Sequence, residues 1–294
     1  MRIVSLLPSA TEILFALGAG DQVVGVTFEC DFPAEARTRR IVSTSALPEG
    51  LTPVEIDAVV AGRMAAGEDL YRLDAGALAD LAADLVVTQD LCAVCAVDVS
   101  VVDDALAHLG CRAKVLTLDP MSLDEVLTSV ETLGKATGTE AVATALVRSL
   151  RGRLDAVRAA VAGRVPVPVM VLEWTDPPFT PGHWVPDMVT AAGGVPLLGA
   201  GGARSVRTSW PDVLAAGPAV VVAAPCGFGL ADAVRLAAEV AGRLPDDVPL
   251  WAVDANASFA RPGPRLVDGV EALAAVLHPD AGVALDDSLA RRVR

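Results

Sequence analysis

The stretch TEAVATALVRSLRGRLDAVRAAVA, Thr139 to Ala162, decides the reading of this chain. Ala143, Leu146, Leu150, Leu154, Val157 and Val161 recur every three or four residues, which predicts one amphipathic helix. At about 1.5 Å rise per residue it forms a rod of roughly 36 Å. Such a rod in the middle of 294 residues suits a connector between two lobes better than an element packed inside one domain. Just upstream, Ser122 followed by Glu125 spells a capping box, and GKATG, Gly134 to Gly138, separates that helix from the rod.

On both sides of the rod, apolar strands alternate with amphipathic helices. RIVSLL, QVVGVT, RIVS, DLVVTQ and CRAKVLTLD read as strands before it. Between them, Ser9 and Glu12 form a second capping box opening a helix that stops near Gly18, and LDAGALADLAA and VSVVDDALAHLG are further helices. After the rod, RVPVPVMVLEWT, AVVVAAP and PLWAVDA read as strands. VPDMVTAAGG, SWPDVLAAG, LADAVRLAAEVAG and PGPRLVDGVEALAAVLHP read as helices. LADLAADLVVTQD and WPDVLAAGPAVVVAAP look like one element used once in each half. The expected architecture is α/β: two lobes with parallel sheets joined by one long helix. Residues 1–138 form the first lobe, 139–164 the connector, 165–280 the second lobe and 281–294 a polar tail.

Composition narrows the function. A net charge of −14 without a clustered basic face excludes a nucleic-acid partner. Charged residues interrupt every long apolar run, so no membrane span is expected. Pro8, Ser9, Thr11 and Glu12 break the apolar opening, which reads as strand and helix, not an export signal. With an odd number of cysteines, five, this gives the expectation of a cytoplasmic protein with free thiols.

Ligands in parallel sheets bind beyond the carboxyl ends of strands. The residues following each predicted strand are therefore the candidates. The helix start at Ser9 and Thr11 suits an anion or polar group. TFECDFP supplies Glu29, Cys30 and Asp31, and TQDLCAVC supplies Gln89, Cys92 and Cys95. In the second half, EWTDPPFTPGHW carries Glu173, Trp174, His183 and Trp184, APCGFG carries Phe228, and SFARPG carries Arg261. Cys30, Cys92, Cys95 and His183 are residue types that ligate zinc or iron, and the alternative is that the cysteines only line a pocket. Trp174 and Trp184 suit a flat apolar ring, the alternative being that they seal the lobe. Glu173 needs a partner if buried, and Arg261 or Arg265 is a candidate for that role or for a ligand carboxylate. No G-x-S-x-G, Walker A or G-x-G-x-x-G pattern occurs between strand and helix.

These segments carry a resemblance. RIVSLLPSATEILFALGAGDQVVGVT, DLVVTQ, the long helix and WPDVLAAGPAVVVAAP match, in order, the class III substrate-binding proteins of ABC transporters. ECDFP, LCAVCAV, EWTDPPFTPGHWVPDM and SFARPGPRLVDG are similar to the members labelled cobalamin-binding. The resemblance implies a two-lobed fold with limited hinge motion, a ligand held between the lobes, cobalamin or another metal-containing cofactor as that ligand, and an ABC permease as partner. A second expectation is a metal- or thiol-dependent enzyme on the same scaffold, using Cys30, Cys92 and Cys95.

Overall fold

The computed structural model describes residues 1–48, 50–66, 68, 70–89 and 113–294. Two compact units emerge: Met1–Asp119 with Ser129–Leu146, and Pro120–Thr128 with Val147–Arg294. The chain passes from one to the other between Asp119 and Pro120, and again inside each of the helices Leu123–Thr137 and Glu140–Val161.

The first unit is built on a six-stranded sheet. Its strands are β1 (Ile3–Ser5), β2 (Val23–Thr27), β3 (Arg40–Ser45), β4 (Tyr71–Leu73), β5 (Leu85–Thr88) and β6 (Lys114–Thr117), in the spatial order β4-β3-β2-β1-β5-β6. All neighbours are parallel except β4, which runs antiparallel to β3. β1 and β5 sit centrally, and every residue of both is buried. Parallel strands covered on both faces read as continuous apolar runs, and IVS and LVVT do so. Val4, Leu6, Val42, Leu78, Leu81 and Val86 pack together as core. The helix Pro53–Ala66 and β4 were not expected from the sequence; the helix has no fully buried residue, so its apolar period is weak.

The second unit has a five-stranded sheet. Here β7 (Val167–Leu172), β10 (Gly194–Pro196), β11 (Val220–Ala223), β12 (Leu250–Val253) and β13 (Ala290–Arg292) take the order β10-β7-β11-β12-β13. A two-stranded hairpin, β8 (Trp174–Thr175) and β9 (Pro178–Phe179), follows β7. β13 is antiparallel to β12, pairing Trp251 with Arg292 and Val253 with Ala290. Residues 281–294, expected to be a polar tail, therefore include an edge strand. Its charge misled: Arg291 and Arg292 are exposed and Ala290 is the buried member, a pattern that suits an edge.

The repeated element has one topological role. β5 lies across β1 from β2, and β11 lies across β7 from β10. Each is the strand at which the chain changes direction across its sheet, and each is preceded by a capped short helix. Asp74 accepts from Ala77 N before β5, and Ser209 accepts from Asp212 N before β11.

The rod is the helix Glu140–Val161, whose buried seam is Ala143, Val147, Leu150, Leu154, Val157 and Val161. Val147 replaces the expected Leu146 because steps of four and three keep the seam at 3.6 residues per turn. Gly138, at φ +71°, ends the preceding helix in the left-handed conformation that glycine adopts without a Cβ penalty. Ser122 caps its helix, with Glu125 N donating to Ser122 Oγ, while the Glu125 carboxylate accepts from Met121 N, one residue before the cap. The box at Ser9 does not form. The helix starts two residues earlier, with Leu7 as N-cap and Pro8 in the first turn, so Ser9 lies inside it.

Candidate functional site

In the first unit, the carboxyl ends of β1, β2 and β5 carry the expected residues. Ser9 and Thr11 lie on the helix Pro8–Ala16 that leaves β1, and Gln89 follows β5 directly. Leu6 N donates to Val87 O at 2.8 Å, so these two chain segments leave the sheet side by side. Thr11 Oγ1 is 2.8 Å from Ser5 Oγ and 3.0 Å from Cys30 Sγ, which ties the β2 loop to this edge. Cys30 N donates to Thr27 O, closing a tight turn. Glu29 is half-buried and accepts from the Tyr71 hydroxyl at 3.0 Å. Asp31 lies 3.7 Å from Arg37.

Among the described residues, five buried side-chain polar atoms of this unit have no hydrogen-bond partner: Ser9 Oγ, Thr27 Oγ1, Arg39 Nε, Ser43 Oγ and Gln89 Oε1. Thr27 and Ser43 face each other in register on β2 and β3. Sequence reasoning missed Phe28 and Phe32, which flank Glu29–Asp31 and are 39% and 45% exposed. Phe28 stands 6.1 Å from the Tyr71 ring. The signal was legible, since two aromatic residues bracket the polar triplet.

In the second unit, the loops after β7, β11 and β12 meet. The Trp174 and Phe228 rings lie 5.6 Å apart and tilted by 49°. Cys226 N donates to Glu173 O, and Asn256 N to Phe228 O, so three strand ends are stitched by backbone bonds. Cys226 is exposed here and was not among the expected site residues. Glu173 Oε1 accepts from Gly182 N at 2.8 Å, so one partner of this strand-end carboxylate is a backbone amide. Arg261 is half-buried in the loop after β12, and its carbonyl accepts from Gly263 N.

His183 adopts φ +51°, a conformation uncommon outside glycine. Two backbone bonds enforce it: His183 N donates to Ala203 O, and Gly202 N to His183 O. Burial, and then the Arg204 charge, hold its imidazole pKa below the usual histidine value, favouring the neutral ring. The Trp184 ring is 5.5 Å from the imidazole; Trp184 itself is buried, and its indole N–H donates to Phe259 O at 2.7 Å. Trp184 thus anchors the loop, and Trp174 is the more accessible of the pair. A separate surface depression of about 510 Å³, lined by Leu198, Val206, Arg207 and Asp212, includes none of the expected site residues.

Cys92 and Cys95 lie outside the described residues. Among the described residues no three metal-ligating side chains gather, so Cys30 and His183 do not by themselves make a zinc or iron site. Nor is any described helix long and apolar enough to cross a membrane.

The chain folds into two α/β units, each built on a largely parallel sheet. Residues 3–241 match the periplasmic binding protein family, and the chain belongs to that family. An uncharacterised ABC transporter substrate-binding lipoprotein of Bacillus subtilis is 28% identical across 95% of this chain and 80% of its own. The vitamin B12-binding protein of Vibrio cholerae is 25% identical across 92% of this chain and 86% of its own. A periplasmic heme binding protein from Pseudomonas aeruginosa superposes with TM-score 0.72 at 21% identity, over 98% of this chain and 96% of its own. The periplasmic vitamin B12 binding protein of Vibrio cholerae does so with TM-score 0.65 at 23% identity, over 94% and 96%. These two likenesses establish the fold.

The family corrects the expectation of a cytoplasmic protein, because its members work outside the cytoplasm and the relative from Bacillus subtilis is a lipoprotein. The opening residues misled for a physical reason. Ile3–Ser5 is a buried central strand, and a segment's place in the fold carries no information about the compartment.

Proposed function

We propose that this chain is the ligand-binding component of an ABC importer and that its ligand is cobalamin or another metal-containing cofactor. The observation that carries this reading is the Trp174–Phe228 pair at the strand ends of the second unit, which also holds the backbone-clamped His183, its pKa lowered toward the neutral ring. Aromatic faces at strand ends accept a flat macrocycle, and a neutral imidazole is the form that reaches a metal centre. Relatives that bind vitamin B12 or heme support the same ligand chemistry. Delivery to a membrane permease is the accompanying role. No specific observation favours a metal- or thiol-dependent enzyme on this scaffold.

Titration of the purified protein with cobalamin and with haem, followed by absorption, tests the reading. Saturable binding of one of them, weakened about tenfold or more in Trp174→Ala, is the expected result. Absence of binding to both would overturn it.

A further inference from the structure

The edge strand β13 is followed by a side-chain anchor. The Arg294 guanidinium donates to four backbone carbonyls of residues 241–248. Nη1 reaches Ala241 O at 3.0 Å and Leu244 O at 3.3 Å, and Nη2 reaches Val248 O at 3.2 Å and also Pro245 O. Its backbone is bonded both ways to Leu250, with Leu250 N donating to Arg294 O and Arg294 N to Leu250 O. The Asp246 carboxylate, 3.8 Å away and fully exposed, adds little. A planar fork with five donors can address several carbonyls at once, which the single ammonium of a lysine cannot match.

From this anchor two routes lead to the Trp174–Phe228 pair. The first runs along β13, which pairs Ala290 with Val253 and so starts beside the carboxyl end of β12. There Asp254 N donates to Leu289 O at 2.8 Å. Asp254 caps the short helix Ala255–Ser258, accepting from Ala257 N at 2.8 Å, and Asn256 N donates to Phe228 O at 3.3 Å. The second route runs through the anchored segment. Ala241 and Leu244 bracket Arg243, whose guanidinium stands 5.6 Å from the Trp210 ring centroid and 3.5 Å from Asp176. Asp176 lies between β8 and β9, the hairpin that carries Trp174. That ion pair is half exposed, so this route is the weaker one. Cys226 N, bonded to Glu173 O at 3.1 Å, ties the two ring-bearing segments to each other. Every residue named lies in the second unit.

We propose that Arg294 is a positioning residue for the Trp174–Phe228 face. By pinning β13 and residues 241–248 it fixes the two rings before the ligand arrives, and a face ordered beforehand loses less affinity to ordering on binding. The inference rests on the ligand reading above and adds to it a residue that acts through Asp254 and Arg243.

Amide hydrogen exchange of the ligand-free protein, with absorption titration by cobalamin and by haem, tests the proposal. In Arg294→Ala the Cys226 and Asn256 amides should exchange about tenfold faster, and those of Met170 in β7 and Val222 in β11 should rise less. Whichever probe the wild type binds should bind this variant about tenfold more weakly. Arg294→Lys keeps the charge and part of the fork, so it should lose about threefold, and it supplies the same comparison where Arg294→Ala does not fold. Arg291→Ala, exposed on the same strand, should match the wild type in both measurements. An equal rise at all four amides would reduce Arg294 to a stability role and overturn the inference, as would undiminished affinity in Arg294→Ala; either result leaves the ligand reading standing. Binding of neither probe by the wild type overturns the ligand reading, and the exchange pattern then decides the anchoring on its own.

Discussion

His183 concentrates the residue-scale physics of the second unit. Its left-handed backbone is held by bonds to Ala203 and Gly202, and asparagine tolerates that conformation where a β-branched residue does not. His183→Val should therefore cost about 1–2 kcal/mol in chemical denaturation, and His183→Asn markedly less. The same residue sets a pH dependence. The folded pKa is depressed, so the unfolded chain takes up a proton first as pH falls. The stability His183 contributes is present above its unfolded value near ~6.5 and is lost as pH falls through the folded pKa. Melting temperatures of the wild type should accordingly fall more steeply than those of His183→Gln between about pH 8 and about pH 5. Parallel curves would remove His183 from this account.

At the scale of elements, the helix Glu140–Val161 and the loop before Val185 behave differently under substitution. Leu150 belongs to the buried seam, and Leu150→Ala should cost about 2–5 kcal/mol in urea unfolding. The exposed neighbour Arg148, changed to Ala, should stay within about 0.5 kcal/mol of wild type. Arg153 adds a fork on the same helix, reaching Asp268 at 2.5 Å and Glu271 at 2.6 Å on the helix Leu266–Leu277. Gly182 is constrained by space: a Cβ there would lie 2.2 Å from Ser205 N and 2.7 Å from the Arg204 carbonyl carbon. Gly182→Ala should destabilise by about 1–3 kcal/mol and, by displacing the His183 loop, weaken ligand binding in the absorption titration. The failure of the Ser9 box belongs to this scale too. Pro8 has a φ already suited to the first turn, so it takes the helix start and leaves Ser9 without a capping role.

For the whole molecule, the ligand is itself a stability probe. A ligand that binds only the folded chain adds RT ln(1 + [L]/Kd), about 2.7 kcal/mol at a hundredfold excess over Kd. Cobalamin should raise the melting temperature in wild type and do so far less in Trp174→Ala; no shift in either at saturating concentration would contradict the proposed ligand. Sequence by itself determined the α/β class, the long helix, the strand cores and the positions of Trp174, His183 and Gln89 at strand ends, because hydrophobic periodicity and turn residues are local signals. It left β4 and β13 unread, since an edge strand buries few side chains and shows little alternation. Only the tertiary structure decided which strand ends meet: Trp174 against Phe228, Tyr71 against Glu29, and Cys30 against Thr11. Those pairings join residues 19 to 54 positions apart. Strand order and register, which are set by burial across the whole sheet, bring them together, and no local pattern encodes them.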